Sequence, residues 1–221
     1  MKQTRIIIVL VVLAAIALIA MGSVYTLNNA EEAVIERFGK IHSVNTQAGL
    51  HFKLPLIDRV IVYNTNEIYS LQYGYRLQSD QHNNENPTYI DDIQEETVLT
   101  KGAYLINIGA VVQYRITDPV AYHYSVAEQQ RTIRLAFESV IRSNVQNQLL
   151  DEALVNKDMI AREILPDLTK KLASYNLGVS LTDVKFTDVL LPEAVQFAYD
   201  DVSIASNEKD SLKSKAEKYS N

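Results

Sequence analysis

Cysteine is absent from the 221 residues of this sequence. Its absence excludes disulfide bonds, thiolate metal sites and a cysteine nucleophile, although it does not identify the compartment. Positive charge is also scarce, because 21 lysine and arginine residues face 27 aspartate and glutamate residues and leave a formal net charge of −6. A surface that binds phosphates needs clustered lysine and arginine, so we do not expect nucleic acid to be the main partner.

Motifs of the common enzyme classes are missing as well. The seven glycines never cluster, so no glycine-rich phosphate loop is present. Neither a G-x-S-x-G elbow nor an H-E-x-x-H pair occurs. The histidines are scattered and share no metal-ligand spacing with carboxylates. They are His42, His51, His82 and His123. We therefore expect no catalytic, cofactor-binding or metal-binding residues, and no enzymatic activity.

The N-terminus carries one long hydrophobic run. After Lys2 and Arg5, no polar side chain occurs from Ile6 to Met21, and the apolar character continues to about Leu27. Roughly 20 helical residues, at about 1.5 Å each, cross a bilayer core of about 30 Å. A cleaved signal peptide, whose apolar region usually has about 7–15 residues, is the alternative. The predicted transmembrane helix includes Ile6, Leu13, Met21 and Leu27.

The charges on either side of this run predict its orientation. Lys2 and Arg5 precede it, whereas Glu31 and Glu32 follow it. The positive-inside rule then places the N-terminus in the cytoplasm and the rest of the chain outside it. Residues 1–29 are therefore expected to form the cytoplasmic N-terminus and the anchor of a single-pass membrane protein.

After the predicted anchor, short β-type runs dominate as far as residue 117. Strands are predicted at Ala33–Lys40 and Asp58–Thr65, and a period of two from Tyr69 to Tyr75 predicts a third. The polar and acidic segment Leu77–Glu96 is expected to be a hairpin loop. Strict alternation marks Ala103–Thr117 as a half-buried antiparallel strand.

Helices are predicted in the second half of the chain. Asp118 is expected to cap a short helix that has Pro119 at its first position. The sequence S-V-A-E at Ser125–Glu128 has the spacing of a capping box and predicts that a long helix begins there. The helix that follows contains Pro166, which should kink or divide it. A last strand is predicted at Val179–Phe186.

From residue 192 a charged helix runs to the end of the sequence. Its apolar residues follow a 3-4 spacing that favours a coiled coil, with an amphipathic surface helix as the alternative. The predicted oligomerisation residues are Val195, Ala198, Val202, Ala205 and Leu212. This seam is short and rich in alanine, so we do not expect it to hold a stable coiled coil alone.

The apolar segment A-G-L-H-F-K-L-P-L-I-D-R-V at residues 48–60 has an unusual composition. It is too apolar for a solvated loop, and Pro55 argues against a central strand because proline cannot donate a ladder hydrogen bond. Contact with a membrane surface is one explanation, with His51 and Lys53 reaching the headgroups. An edge strand of the domain core is the alternative. The predicted interface residues are Phe52, Lys53, Leu54, Pro55, Leu56 and Ile57.

The order of these elements resembles one known family. The hydrophobic run is followed by E-E-A-V-I-E-R-F-G-K-I, G-L-H-F-K-L-P, V-Q-Y-R-I-T-D-P and a charged helix. This order resembles the SPFH or band 7 family of stomatin, prohibitin, flotillin and bacterial HflK and HflC, and is most similar to HflK. The resemblance implies an α+β fold with a transmembrane helix, then an SPFH domain of mostly antiparallel sheet and packed helices at residues 30–191. Residues 192–221 would be the truncated start of a long coiled-coil helix.

The resemblance implies a membrane-anchored oligomeric scaffold and not an enzyme. An HflK-like protein would enclose a membrane-bound ATP-dependent protease of the FtsH type in a membrane patch and regulate it. The implied partners are membrane lipids, further copies of the chain or an HflC-like paralogue, and the protease. The implied location is the inner membrane, with the main domain in the periplasm. The alternatives are a stomatin- or flotillin-like organiser of lipid microdomains and a membrane-bound hydrolase with unrecognised catalytic residues.

Overall fold

The computed structural model describes residues 22–78, 88–91 and 96–220. Within these ranges the chain forms a mixed α+β fold. The strands are β1 (Val24–Leu27), β2 (Glu31–Arg37), β3 (Lys40–Asn45), β4 (Gly49–Phe52), β5 (Asp58–Asn64), β6 (Tyr69–Tyr73), β7 (Tyr75–Gln78), β8 (Thr88–Asp91), β9 (Thr97–Leu99), β10 (Leu105–Ile116) and β11 (Val179–Leu190). The helices are α1 (Pro119–Tyr124), α2 (Gln129–Val145), α3 (Leu150–Val155), α4 (Lys157–Ser174) and α5 (Glu193–Ser220).

The strands form small sheets. Strands β3, β2 and β5 make an antiparallel sheet in that order, β1 pairs with β4, and β7 pairs with β8. A further sheet has the order β11-β10-β6, and β9 also pairs with β10. The antiparallel pairing that the alternating strands predict is therefore confirmed.

One compact unit contains the described residues up to Ser70, together with Gln113–Ile133 and Thr169–Asp183. The β3-β2-β5 sheet and the β1–β4 pair belong to it. The centre of β2, from Ala33 to Ile35, is at most 4% exposed. This strand can be buried because both of its edges are paired and its apolar side chains lie in the core.

Helix α1 lies in the same unit and begins where the sequence predicts. The Asp118 side chain accepts hydrogen bonds of 3.0 Å from the backbone N–H groups of Val120 and Ala121, and Pro119 lies in the first turn. The carbonyl of Gly178 accepts a hydrogen bond of 2.9 Å from the backbone N–H of Asp118. Gly178 has a φ of +64°, and a Cβ there would lie 2.4 Å from the Asp118 carbonyl oxygen. Glycine is therefore required at this position.

The second compact unit contains the described residues of Leu71–Val112, Arg134–Leu168 and Val184–Asn221. In its core the ring of Tyr73 meets the ring of Phe137 edge-on, with 5.8 Å between the centroids. The inward face of β10 is buried as its alternation predicts. The buried residues of β10 in this unit are Ile106, Ile108, Ala110 and Val112.

The predicted transmembrane helix needs a correction at its C-terminal end. Leu27 lies on β1, where it pairs with Gly49 of β4 and is only 4% exposed. Leu27 therefore belongs to a strand, in which the backbone groups of β1 and β4 satisfy each other. Ile6, Leu13 and Met21 lie outside the described residues. Among the described helices, none combines the length and apolar character needed to cross a membrane.

Three further sequence predictions differ from the structure. The segment Leu77–Glu96 is not entirely loop, because β7 and β8 enclose its first part; residues 79–87 and 92–95 lie outside the described ranges. Pro166 does not divide α4, which runs from Lys157 to Ser174 with this exposed proline inside it. Ser125 ends α1 as its C-cap, and α2 begins later, at Gln129.

Candidate functional site

The apolar segment identified from the sequence forms an exposed turn. Strand β4 ends at Phe52, and the backbone N–H of Asp58 donates a 2.9 Å hydrogen bond to the Leu54 carbonyl. Leu56, inside this turn, has a φ of +70°, a conformation that leucine rarely adopts. Its side chain is 99% exposed. The turn therefore presents Leu56 to the surroundings and not to the core.

The other predicted interface residues lie on the same exposed segment. Phe52 is 72% exposed, and Leu54 and Ile57 are also exposed. Lys53 and Pro55 are half-buried. Because Pro55 is in the turn and not in a strand, the missing N–H breaks no ladder hydrogen bond. Large apolar side chains that are exposed together are typical of a contact surface.

The Asp58 carboxylate holds this turn in place. It accepts hydrogen bonds from the Arg37 guanidinium, 2.7 Å from Nε to Oδ1 and 3.0 Å to Oδ2, and a 2.9 Å bond from the backbone N–H of Leu54. The Arg37 side chain, helped by the Leu54 N–H, lowers the pKa of Asp58 to about 2. The same pair raises the pKa of Arg37. The carboxylate is therefore charged at neutral pH and connects the end of β2 to the turn.

Two exposed apolar residues near this turn are not among the predicted interface residues. Leu50 is 60% exposed and shares a face of β4 with Phe52, since alternate residues of a strand point the same way. Phe38, between β2 and β3, is 82% exposed. Phe38 does not stand out in the sequence, because it belongs to a run that also reads as an ordinary strand end, whereas Leu50 lies within the apolar segment at residues 48–60. We call the whole set the tip; it consists of Phe38, Leu50, Phe52, Leu54, Leu56 and Ile57.

The tip adjoins the part of the chain that leads to the N-terminal hydrophobic run. The backbone N–H of Lys53 donates a 2.7 Å hydrogen bond to the carbonyl of Ser23, and Val24 pairs with Phe52. The run Ile6–Met21 ends only two residues before Ser23 in the sequence. The exposed apolar turn and the first described residues of the chain are therefore at one place in the fold.

His51 does not play the part that the sequence suggested. Its Nε2 lies 2.7 Å from the carbonyl oxygen of Gln47, and its ring stacks on Tyr25 with 5.5 Å between the centroids. A carbonyl only accepts, so Nε2 carries the hydrogen in this contact. The histidine therefore supports the β1–β4 pair and is not free to reach a ligand.

A polar cluster on β2, β5 and α1 brings further titratable groups of this unit together. The Tyr63 hydroxyl lies 2.6 Å from Nδ1 of His123, whose Nε2 is 3.3 Å from Glu36 Oε1. The Tyr124 hydroxyl donates a 2.5 Å hydrogen bond to the same oxygen. Partial burial and this bond raise the pKa of Tyr124 to about 12. Burial, with Tyr122 and Glu36 nearby, also raises the pKa of Tyr63. The Tyr124 hydroxyl stays protonated and donates to Glu36, so the cluster attaches α1 to β2.

The predicted oligomerisation residues all lie on α5. Val195 is 46% exposed, Val202 69% and Leu212 65%. Ala198 and Ala205 are exposed as well. Near its start the helix is attached by the Tyr199 hydroxyl, which donates a 2.7 Å hydrogen bond to Asp151. The predicted seam is thus accessible to a partner. Across residues 22–78, 88–91 and 96–220, no group of three or more histidine or acidic side chains is placed to hold a metal ion.

Comparison with known proteins identifies the family. The model of the SPFH domain / Band 7 family matches residues 25–220, which include every described strand except the first residue of β1. The chain belongs to the SPFH/Band 7 family. The resemblance predicted from the sequence is therefore confirmed, and the mixed α+β fold with antiparallel sheets and a C-terminal helix is its SPFH domain.

Relatives named HflK occur in several bacteria. HflK of Borreliella burgdorferi is 26% identical over 211 residues, 94% of this chain and 66% of that protein. HflK of Vibrio cholerae is 29% identical over 213 residues, 95% of this chain and 48% of the relative. The Escherichia coli K12 protein named modulator of FtsH protease HflK is 29% identical over 217 residues, 97% of this chain and 46% of that protein. The SPFH chain described here thus spans about half to two thirds of their length.

Proposed function

We propose that this chain is a membrane-anchored scaffold that regulates a membrane-bound ATP-dependent protease of the FtsH type. The observation that carries the proposal is the exposed apolar tip beside Ser23, from which the chain leads back to Ile6–Met21. An apolar surface next to a hydrophobic anchor is suited to lie in the membrane interface. Family membership, and the relative named for modulating the FtsH protease, supply the functional class.

The proposed mechanism is steric. The N-terminus is cytoplasmic and the SPFH domain extracytoplasmic, in the periplasm beside the inner membrane, as the flanking charges favour. Copies of the chain, or of an HflC-like paralogue, associate through the exposed seam of α5 and enclose a patch of membrane that holds the protease. Contacts between subunits then admit or exclude substrates. The chain itself makes and breaks no bonds and is not an enzyme.

Membrane anchoring is part of this mechanism, because the seam of α5 is weak on its own. Isolated helices are marginal in water, and the alanines of the seam bury little area. Anchors in one plane concentrate and align the subunits, which raises the effective concentration of each helix for the next. We therefore expect the full-length protein to form large oligomers in membranes, while residues 22–221 associate weakly in dilute solution.

Cross-linking and purification of the full-length protein in mild detergent test the proposal. A ladder of cross-linked species together with a co-purifying ATP-dependent membrane protease is expected. Val202→Asp with Leu212→Asp should shorten the ladder, whereas Ser203→Asp, which adds a charge beside the seam, should leave it unchanged. The absence of any ladder would contradict the scaffold. Large oligomers recovered with lipid but without protease would favour the stomatin- or flotillin-like organiser of lipid microdomains.

A further inference from the structure

The β2–β3 hairpin has a backbone that its sequence does not favour. Arg37 pairs with Lys40, and the two residues between them, Phe38 and Gly39, have φ of +51° and +77°. Two central residues with positive φ make a type I′ turn, which prefers asparagine or aspartate followed by glycine. Phenylalanine is costly at the first position. Because the Phe38 ring is 82% exposed, packing within the described part of the chain does not offset this cost.

The hairpin lies beside the turn that contains Leu56. Arg37 is opposite Asp58 in the β2–β5 ladder, and its guanidinium holds the Asp58 carboxylate with two hydrogen bonds. Asp58 also fixes the backbone of Leu54. Phe38 follows Arg37 directly, so the ring belongs to the same end of the sheet as Leu56. One carboxylate thus connects two exposed apolar loops that are far apart in sequence.

The charge around the tip is opposite to that of the whole chain. Residues 37–59 contain four lysine and arginine side chains and one acidic residue, Asp58, whereas the whole chain has a net charge of −6. Arg37 neutralises Asp58. The remaining cations are Lys40, Lys53 and Arg59, and no ion pair with a described carboxylate occupies any of them. Positive side chains around an exposed apolar surface are suited to a membrane that carries negative headgroups.

We propose that Phe38 and Lys40 form a second membrane-contacting loop, and that the tip binds a bilayer surface containing anionic lipid. This inference rests on the membrane contact in the proposed function. It adds a second contact loop and the negative charge of the lipid headgroups. The aromatic ring enters the interface beside Leu56, and the ammonium groups of Lys40 and Lys53 reach the phosphates while their stems stay with the apolar side chains. The cost of the strained hairpin is then offset by burial in the membrane and not by the fold.

The absence of tryptophan from the sequence makes a direct test possible. Full-length protein with Phe38→Trp carries a single tryptophan, and Leu56→Trp reports on the loop in the proposed function. Each variant is reconstituted into phosphatidylcholine vesicles and into vesicles of phosphatidylcholine and phosphatidylglycerol in equal amounts. Quenching of the tryptophan fluorescence is measured with lipids that are brominated on their acyl chains. Val155→Trp, at a position that is 78% exposed on α3, is the control for random collisions. Circular dichroism shows that each variant is folded.

The inference predicts quenching at positions 38 and 56 but not 155, and stronger quenching in the anionic vesicles. Lys40→Gln and Lys53→Gln should each weaken binding of the tip to the surface of the anionic vesicles about fivefold. Lys170→Gln on α4 should leave this binding unchanged. Quenching at 56 without quenching at 38 would overturn the inference and leave the proposed membrane contact standing. Quenching at neither would overturn both. Equal quenching in neutral and anionic vesicles would refute the headgroup assignment.

Discussion

Replacing Phe52 and Leu56 by aspartate should abolish binding of the SPFH domain to vesicles without unfolding it. Each large apolar side chain contributes about 1.5–3 kcal/mol when fully buried, so full burial of the pair in the membrane would contribute at least about 3 kcal/mol. Since about 1.4 kcal/mol corresponds to a tenfold change, we expect at least a hundredfold loss of affinity. The free energy of unfolding should change little, because the two side chains are 72% and 99% exposed. Aspartate also tolerates the positive φ of Leu56 better than leucine does.

Flotation of residues 22–221 with vesicles measures this effect in the absence of the hydrophobic run. The fragment has to begin before Val24, because a start at residue 29 removes β1 and leaves β4 unpaired. Val155→Asp is the control for adding an aspartate outside the tip, since it places one negative charge at a position that is 78% exposed. Unchanged flotation of the double variant, or no flotation of the unaltered fragment, would refute the assignment of the tip as a membrane-contact surface.

Three further predictions concern the fold and its pH dependence. Phe137→Ala should lower the free energy of unfolding by about 3–5 kcal/mol in urea titrations, because the ring is fully buried. Leu135→Ala, at an exposed position, should change the free energy of unfolding little. Equal effects of the two substitutions would contradict the assigned core. Gly178→Ala should destabilise by more than about 1 kcal/mol, since its Cβ would meet the Asp118 carbonyl, and an unchanged melting temperature would show that the contact relaxes. Because the pKa of Asp58 is lowered from 3.8 to about 2, its charge stabilises the fold above pH 3.8 and this contribution is lost as the pH falls towards 2. Thermal melts across this range should therefore show a smaller acid-induced loss for Asp58→Asn than for the unaltered protein, and equal losses would refute the assigned hydrogen bonds.

Local patterns in the sequence predicted much of the secondary structure. The alternation along β10 was sufficient because one face of that strand is buried and the other is not, and this difference forces a period of two. The start of α1 was predictable for a similar reason: the Asp118 side chain and Pro119 act within a few residues of one another. The order of such local features also identified the SPFH family before any comparison. Composition alone marked Phe52–Ile57 as unusual, and the structure shows these residues exposed or half-buried on one turn.

The set of residues that form the tip could not be predicted in the same way. Phe38 joins it only because Arg37 meets Asp58, 21 residues further along the chain, and the register between β2 and β5 depends on pairing over that distance. The prediction that the transmembrane helix extends to Leu27 was also wrong. Leu27 is as apolar as the residues before it, but backbone pairing of β1 with β4 places it in a sheet. Hydropathy describes the free energy of transferring a side chain out of water. The strand with which the backbone of a residue pairs depends on residues elsewhere in the chain.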